Sequence, residues 1–506
     1  MDRRSFLTTT AVAAAQPKAA APRLTHLCLN EDNSHWFFTR AGQPQTAETI
    51  SAFIDQYANT QVREILLSAN SQRTSFASKV WDPIWKGYDP KGPDDQPLFQ
   101  STAREARPNA RKWVDTAWRL AEQGIDPYQL WIARARQKGL EPWISMRMND
   151  LHNVDDPASY MHSTYWREHP DQRRVPWRFA DTRDRALDFG HPEVRAYHLQ
   201  LVREYIDRYD LAGLELDWMR FGFHCAPGQE AETGRHITEF VRETRRLLDR
   251  KNRRLRLGVR VPSRPQAAIE LGMDGAQWAR EGIIDMLVVT PFWASIDTDI
   301  PIELWRRLAG DKVTLAAGLE LLIRPYHAYR PLQFNSIETV RGVASSLLSR
   351  GADRIYLFNY MDSQTEMPDR ENYPALLREC GRLDTLAGKP RRHIVTYPDT
   401  QAPGEPTSEQ LPRSLQPKQW ATFRLHCGPA IQKPRLRLGI EGEAPAEVRV
   451  NGMPCQPSGR DEDLKPGPKE PVHAWTVPQA VQARAVVDVQ ARAPLTIHWV
   501  EVASST

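Results

Sequence analysis

The sequence predicts an α/β fold: a (β/α)8 TIM barrel followed by a small all-β sandwich. Three observations predict it. From Arg23 to about Pro390, short β-rich runs alternate with amphipathic helical runs and give eight strands. No glycine-rich phosphate loop follows the first strand, which argues against an open, doubly wound nucleotide-binding sheet. Beyond residue 420 the pattern becomes polar/apolar alternation with turn signals, as in a sandwich.

The first strand is expected over Leu24 to Asn30, with a helix from Ala47 to Tyr57 after it. The second is Val62 to Ala69, followed by a Trp- and Pro-rich insertion to about Pro108. Helical runs around Lys112 to Gln123 and Tyr128 to Lys138 lead to the third strand, Glu141 to Met148, and then to a long polar and aromatic loop. Pro192 falls in a helix's first turn, where its missing N–H has no partner to lose. Val194, Tyr197, Leu201, Val202, Tyr205 and Ile206 follow at helical spacing. The fourth strand is Gly213-Leu214-Glu215-Leu216-Asp217, running on into Trp218-Met219-Arg220-Phe221. Glu215 and Asp217 share one face; Leu214 and Leu216 share the other. Ionised carboxylates are costly to bury unpaired, so this strand is expected to face helices outside and an active site inside. Ile237 to Leu248 marks the next helix, Leu255 to Val261 the fifth strand, Asp285 to Phe292 the sixth and Val313 to Leu321 the seventh. A helix from Ile337 to Ser349, the eighth strand Ala352 to Tyr360 and a last helix Pro374 to Leu386 complete the barrel, 23–390. A Pro-rich linker, 391–419, and the sandwich, 420–506, are expected next, with a hairpin turn at Asn451-Gly452.

The 506 residues imply more than one domain. The net charge of +4 is small and dispersed and gives no reason to expect nucleic acid. No run of about 20 apolar residues exists, so no membrane span is expected. The N-terminus, Met1-Asp2-Arg3-Arg4-Ser5-Phe6-Leu7 and a Thr/Ala-rich run, resembles a twin-arginine export signal over 1–22 and implies a periplasmic or secreted protein. The five cysteines are odd in number and widely spaced, with no zinc pattern; buried free thiols are expected, and no metal or cofactor.

In a barrel, chemistry gathers where strands end and the following loops begin. Those ends carry Asn30-Glu31-Asp32, Arg147, Asn149, Asp150 and His152, then Asp217, Trp218 and Arg220, then Arg260, Thr290, Trp293, Glu320, Asn359, Tyr360 and Asp362. Glycosidic cleavage needs one protonated carboxyl for the leaving oxygen and one ionised carboxyl to attack carbon or activate water. Asp217 and Glu320 are the expected pair, because strands four and seven lie nearly across a barrel mouth. Ala316, Ala317 and Gly318 leave room before Glu320. Arg147, Asn149, Asp150, His152, Trp218, Arg220, Arg260, Trp293, Asn359 and Tyr360 are the expected sugar-binding groups. Glu215 is expected as structural support paired with Arg147 or Arg260, and Asp150 and Asp32 rival Glu320 as the second acid. Trp36, Trp81, Trp85, Trp166 and Trp177 fall in expected loops, where rings either stack on sugars or anchor packing.

The segment from Leu187-Asp188-Phe189-Gly190-His191-Pro192-Glu193-Val194-Arg195 to Gly213-Leu214-Glu215-Leu216-Asp217 resembles the glycosyl-hydrolase-like barrels. Gly213 to Met219 is also similar to the family 18 chitinase strand, in which a Glu acid follows the Trp; here Met219 holds that place, and the acid is absent. The resemblance implies a glycan-active barrel in which Asp217 matters, with a C-terminal β-domain similar to the accessory modules of such enzymes. The expected function is hydrolysis of a polysaccharide or oligosaccharide. Met219 motivates one alternative, a non-catalytic glycan-binding protein on a decayed barrel; a metal-dependent hydrolase using His152, Asp150 and Asp217 is another.

Overall fold

A computed structural model describes residues 25–251, 255–292, 295–362, 370–406 and 409–504. The expected export signal and Trp293 lie outside the described residues. Eight strands form the barrel: β1 (His26–Glu31), β2 (Val62–Ser68), β3 (Glu141–Arg147), β4 (Gly213–Asp217), β5 (Arg256–Pro262), β6 (Met286–Thr290), β7 (Thr314–Leu319) and β8 (Arg354–Phe358). They close in the order β1-β8-β7-β6-β5-β4-β3-β2, every neighbour parallel. Helices Pro192–Arg208, Glu230–Asp249 and Ile337–Ser349 precede β4, β5 and β8, as their spacing predicted. The helix expected over Ala47 to Tyr57 is α-helical only to Ala52 and tightens to 3-10 geometry over Phe53–Tyr57.

Alternation along each strand sorts the side chains. Leu214, Leu216, Leu257, Val259, Leu287 and Val289 face outward and join the helices in the main core. Inside the barrel Cys28, Leu66, Trp143, Met286, Val288, Ala316, Tyr356 and Phe358 form a separate apolar plug. Trp143 lies so close to β4 that a Cβ on Gly213 would fall 2.5 Å from its ring, which is why β4 begins with glycine. The plug fills the lower barrel and leaves the carboxyl-terminal ends of the strands to polar groups.

The C-terminal domain is two antiparallel sheets. One orders Arg392–Ile394, Leu495–Ser504, Pro434–Gly442, Val472–Thr476 and Gln456–Arg460; the other orders Trp420–Ile431, Val481–Gln490, Glu447–Val450 and Met453–Pro454. Asn451 and Gly452 make the expected hairpin turn with φ of 52° and 80°. The stretch 391–419 is more than a linker. Arg392–Ile394 and Arg413–Leu415 both pair with Leu495–Ser504, and the prolines of the stretch (Pro398, Pro403, Pro406, Pro412 and Pro417) all fall outside these two short strands. All five cysteines are buried and free.

The two domains meet at helix Ile337–Ser349. A Cβ on Gly342 would fall 1.9 Å from the Arg392 carbonyl oxygen. On helix propensity alone Gly342→Ala stabilises by about 1 kcal/mol. Overpacking at such a contact costs about 1–3 kcal/mol and wins. The expected result is a lower urea midpoint for Gly342→Ala with an unchanged slope; a raised midpoint refutes the contact.

Candidate active site

The carboxyl-terminal ends of β4, β5 and β7 converge on one guanidinium. Arg260 Nη1 donates to both oxygens of Asp217 (3.1 and 3.3 Å), and Nη2 donates to Glu320 Oε1 (2.6 Å). The side chains of Arg260 and Asp217 are 0% exposed and that of Glu320 is 1% exposed. Asp217 Oδ1 also accepts the Met219 N–H at 3.0 Å. Burial works against the charge on Arg260, but Asp217 and Glu320 outweigh it and raise its pKa. Burial pushes the Glu320 carboxyl well above its usual range despite Arg260. One guanidinium touching both acids keeps their nearest oxygens within about 8 Å, a span that covers the retaining separation of about 5 Å and overlaps the inverting range of about 6.5–9.5 Å.

Glu215, one layer deeper, pairs with neither Arg147 nor Arg260, contrary to expectation. Its Oε1 accepts Ser145 Oγ (2.7 Å) and Tyr356 OH (2.8 Å), while Asn30 Nδ2 donates to Tyr356 OH (3.0 Å). Burial, then the charge of Asp217, raise its pKa to about 7. Glu215 is thus a hydrogen-bonded carboxyl rather than the arginine partner that was expected, because Arg260 is already engaged by the acids above it.

A cavity of about 330 Å³ opens beside this centre, walled by Asp32, Arg147, His152, Arg220, Asn359 and Trp113 among others. Arg147 reaches Asp32 and Asp150 (3.2 Å to the latter), and His152 Nδ1 meets Asp150 Oδ1 at 2.8 Å. Both carboxyls are held well below the usual range: against burial, Arg147 and Arg220 act on Asp32, and His152 and Arg147 on Asp150. His152 Nε2 lies 3.1 Å from Arg220 Nη2, and its Nδ1 lies 2.8 Å from Asp150 Oδ1. Burial, then Arg147, lower Arg220 to about 10. Arg220 lies over the Phe358 ring (5.4 Å), and Phe358 in turn lies under Arg260 (3.8 Å). Asp217 and Glu320 do not line this cavity. Asp150 and His152 are joined to each other and to Arg147, while Asp217 is joined to Arg260; among the described residues no three metal-ligating side chains form a group.

Several expected sugar contacts are packing or positioning groups. Trp218 is 0% exposed, edge-on to Phe189 (5.0 Å), His224 (4.9 Å) and Phe240 (5.8 Å), so it anchors the loop after β4. Asn149 spends its amide on the main chain of Leu187 (2.8 and 3.1 Å) and Phe223 (3.1 Å). Tyr360 is buried and donates to the Glu320 carbonyl at 2.9 Å. Asn335, which the sequence reading missed, donates to the same carbonyl at 2.8 Å and pins Glu320 from the other side. Its one signal is position, immediately before the cap of helix Ile337–Ser349. Trp36, Trp81 and Trp166 are buried and Trp85 packs partly buried on the core, whereas Trp177 is 83% exposed. Trp36 and Trp81 have ring partners distant in sequence, such as Tyr197 stacked on Trp81 at 4.4 Å, whereas Trp166 packs on nearby His162 and Arg173.

The rim between β1 and β8 is closed by a second charged network. His35 Nδ1 bonds Glu31, its Nε2 lies 3.1 Å from Asp362 Oδ1, Arg40 reaches Asp362 at 2.5 Å, and Tyr57 OH donates to Glu31 at 2.6 Å. Burial opposes the charge on His35, but the flanking carboxylates outweigh it and raise its pKa to about 9.

No protein-family model and no curated protein sequence matches the chain. Among solved structures it is similar to a cycloisomaltooligosaccharide glucanotransferase from Paenibacillus (TM-score 0.33, 8% identity, covering 94% of this chain and 57% of that one). A cell-surface chitinase from Paenibacillus gives 0.37, 11%, 93% and 54%. An alpha-L-fucosidase from Paenibacillus thiaminolyticus gives 0.35, 14%, 92% and 96%. The chain thus spans little more than half the length of the first two. No residue role is transferred from these proteins.

The His35 network makes stability depend on pH. Unfolded, His35 titrates near 6.5, and folded, near 9. Below pH 6.5 it is charged in both states and its pairing stabilises in full; that stabilisation is lost as pH rises through about 9. The shift corresponds to something on the order of 3 kcal/mol. The gap in urea midpoint between wild type and His35→Gln is expected to be widest near pH 6 and to narrow toward about pH 9.5. A gap that is constant with pH rules out the charged pairing.

Proposed function

We propose that this protein is a glycoside hydrolase acting on a polysaccharide or oligosaccharide, with Asp217 as nucleophile or base and Glu320 as general acid. The observation that carries the proposal is the pair of carboxyls joined through Arg260 at the carboxyl-terminal end of the barrel. Two acids in different environments are what glycosidic cleavage requires. Burial favours the protonated form of Glu320, and Asp217 lies against the Arg260 guanidinium and the Met219 N–H. The cavity of Asp32, Arg147, His152 and Arg220 offers hydrogen-bonding groups for sugar hydroxyls. A polymer outside the cytoplasm is the substrate that the Arg3-Arg4-Ser5-Phe6-Leu7 leader would give access to.

A second reading, glycan binding without hydrolysis, draws on one observation: Asp217 and Glu320 are buried and do not line the open cavity.

On a polysaccharide panel, Asp217→Asn is expected to lower turnover at least about a hundredfold. Glu320→Gln is expected to harm substrates with poor leaving groups more than aryl glycosides, whose leaving oxygen needs less protonation. Near-normal turnover by Asp217→Asn removes it from the chemistry. Binding of a glycan by the wild type with no product released establishes the second reading instead.

A further inference from the structure

A second cavity, of about 270 Å³, opens on the other side of the mouth. Met219 and Phe223 reach it from the loop after β4 and Phe292 from the end of β6; Tyr397, Thr400 and Gln401 reach it from the chain that follows the barrel. Met219 and Arg220, consecutive residues just after Asp217, line different cavities, so the two spaces flank the loop that leaves β4. Phe221 divides them. Its ring meets His152 (5.1 Å) on the first side and Phe292 (5.7 Å) on the second. Its φ of 141° belongs to a region populated almost only by glycine, so the surrounding contacts hold this partition in a strained backbone.

The far wall is built in. The Phe292 N–H donates to Asp399 Oδ1 at 2.7 Å, and the Thr298 N–H and hydroxyl bond Thr396 Oγ1 (3.0 Å) and the Ile394 carbonyl (2.9 Å). Tyr397 is 1% exposed, and its hydroxyl is a buried group with no hydrogen-bond partner among the described residues. A buried hydroxyl left unpaired is costly unless something else satisfies it. Aromatic faces with amide and hydroxyl groups at their edges match the two sides of a pyranose ring.

We propose that the second cavity is the leaving-group subsite: it holds the sugar beyond the scissile bond, the first cavity holds the sugar that is attacked, and the post-barrel chain completes the site. The inference rests on the hydrolase reading above. Asp217 leaves β4, whose following loop supplies Met219 and Phe223 to this cavity, and Glu320 leaves β7, whose neighbour β6 supplies Phe292, so the strand ends that carry both acids border it. In the reaction the Glu320 proton goes to the glycosidic oxygen as the electron pair of the C–O bond moves to that oxygen. Water supplies hydroxyl to the anomeric carbon, and its remaining proton returns to the carboxylates.

The test uses the full chain with cellohexaose, xylohexaose, maltohexaose and chitohexaose, and the p-nitrophenyl glycoside of whichever product the wild type releases. The nitrophenyl group does not fill a sugar subsite. For Tyr397→Phe and Gln401→Ala, kcat/KM on the hexasaccharide relative to the aryl glycoside is expected to fall at least tenfold, mainly through KM. Tyr397→Phe is expected to keep or raise the wild-type Tm, because its hydroxyl has no partner to lose and is costly to bury unpaired. An unchanged ratio in both variants, with the wild type cleaving, overturns the subsite and leaves the hydrolase reading standing. A wild type that cleaves none of the four overturns the hydrolase reading and the subsite with it.

Discussion

The interior of this barrel depends on one cation. Arg260 is enclosed with Asp217 and Glu320 directly on it and Glu215 just below, three acids around a single guanidinium. Moving even one bare carboxylate into such a place is expensive, and attraction to a partner repays it only when geometry and hydrogen bonds are good. One positive charge neutralises one negative charge. The other two carboxyls are therefore pressed toward their protonated forms, and Glu215 and Glu320 both shift that way. The polar layer thus sets three acids around one guanidinium, with Glu215 and Glu320 both shifted toward their protonated forms.

This arrangement is imposed by register. Parallel pairing sets Arg147, Asp217 and Arg260 side by side on β3, β4 and β5, and one step lower sets Ser145, Glu215 and Gly258 side by side. Arg260 is level with Asp217, so it serves that layer. The lower layer has glycine where a side chain on β5 would project, and only hydroxyls from Ser145 and Tyr356 reach Glu215. A one-residue slip of β4 would turn both acids out into the apolar shell under the helices.

The sequence shows this layer only in part. Strand and helix periods are local, so the eight strands, the inward face of β4 and the polar strand ends were legible. The roles of single rim residues were not, because they depend on where loops bend and on partners far along the chain. Phe221 and Asn359, with φ of 141° and 61°, redirect the chain just after β4 and β8, and no period predicts that. Trp218 was read as a sugar platform from its place at a strand end; Phe189 and Phe240, from two other elements, enclose it. Tyr360 and Asn149 turn to main-chain carbonyls for the same reason: buried backbone groups need partners, and a nearby amide or phenol supplies one.

The same long-range contacts tie the acid on β7 to the second domain. The carbonyl of Glu320 is held by Tyr360 and Asn335. Asn335 Oδ1 accepts the Thr339 hydroxyl at 3.1 Å, which fixes it to the first turn of helix Ile337–Ser349. That helix carries Gly342 against Arg392, and Arg392 pairs in the sandwich with Glu501 at 2.7 Å, which Arg437 also contacts at 2.7 Å. Glu501 is itself 0% exposed and, against burial, is held ionised by these two arginines. A buried charge so paired resists displacement, because moving either partner leaves the other uncompensated. The β-sandwich therefore acts as a fixed abutment for the strand end that carries Glu320, and the chain between the domains is held at both ends while its middle crosses the rim of the barrel.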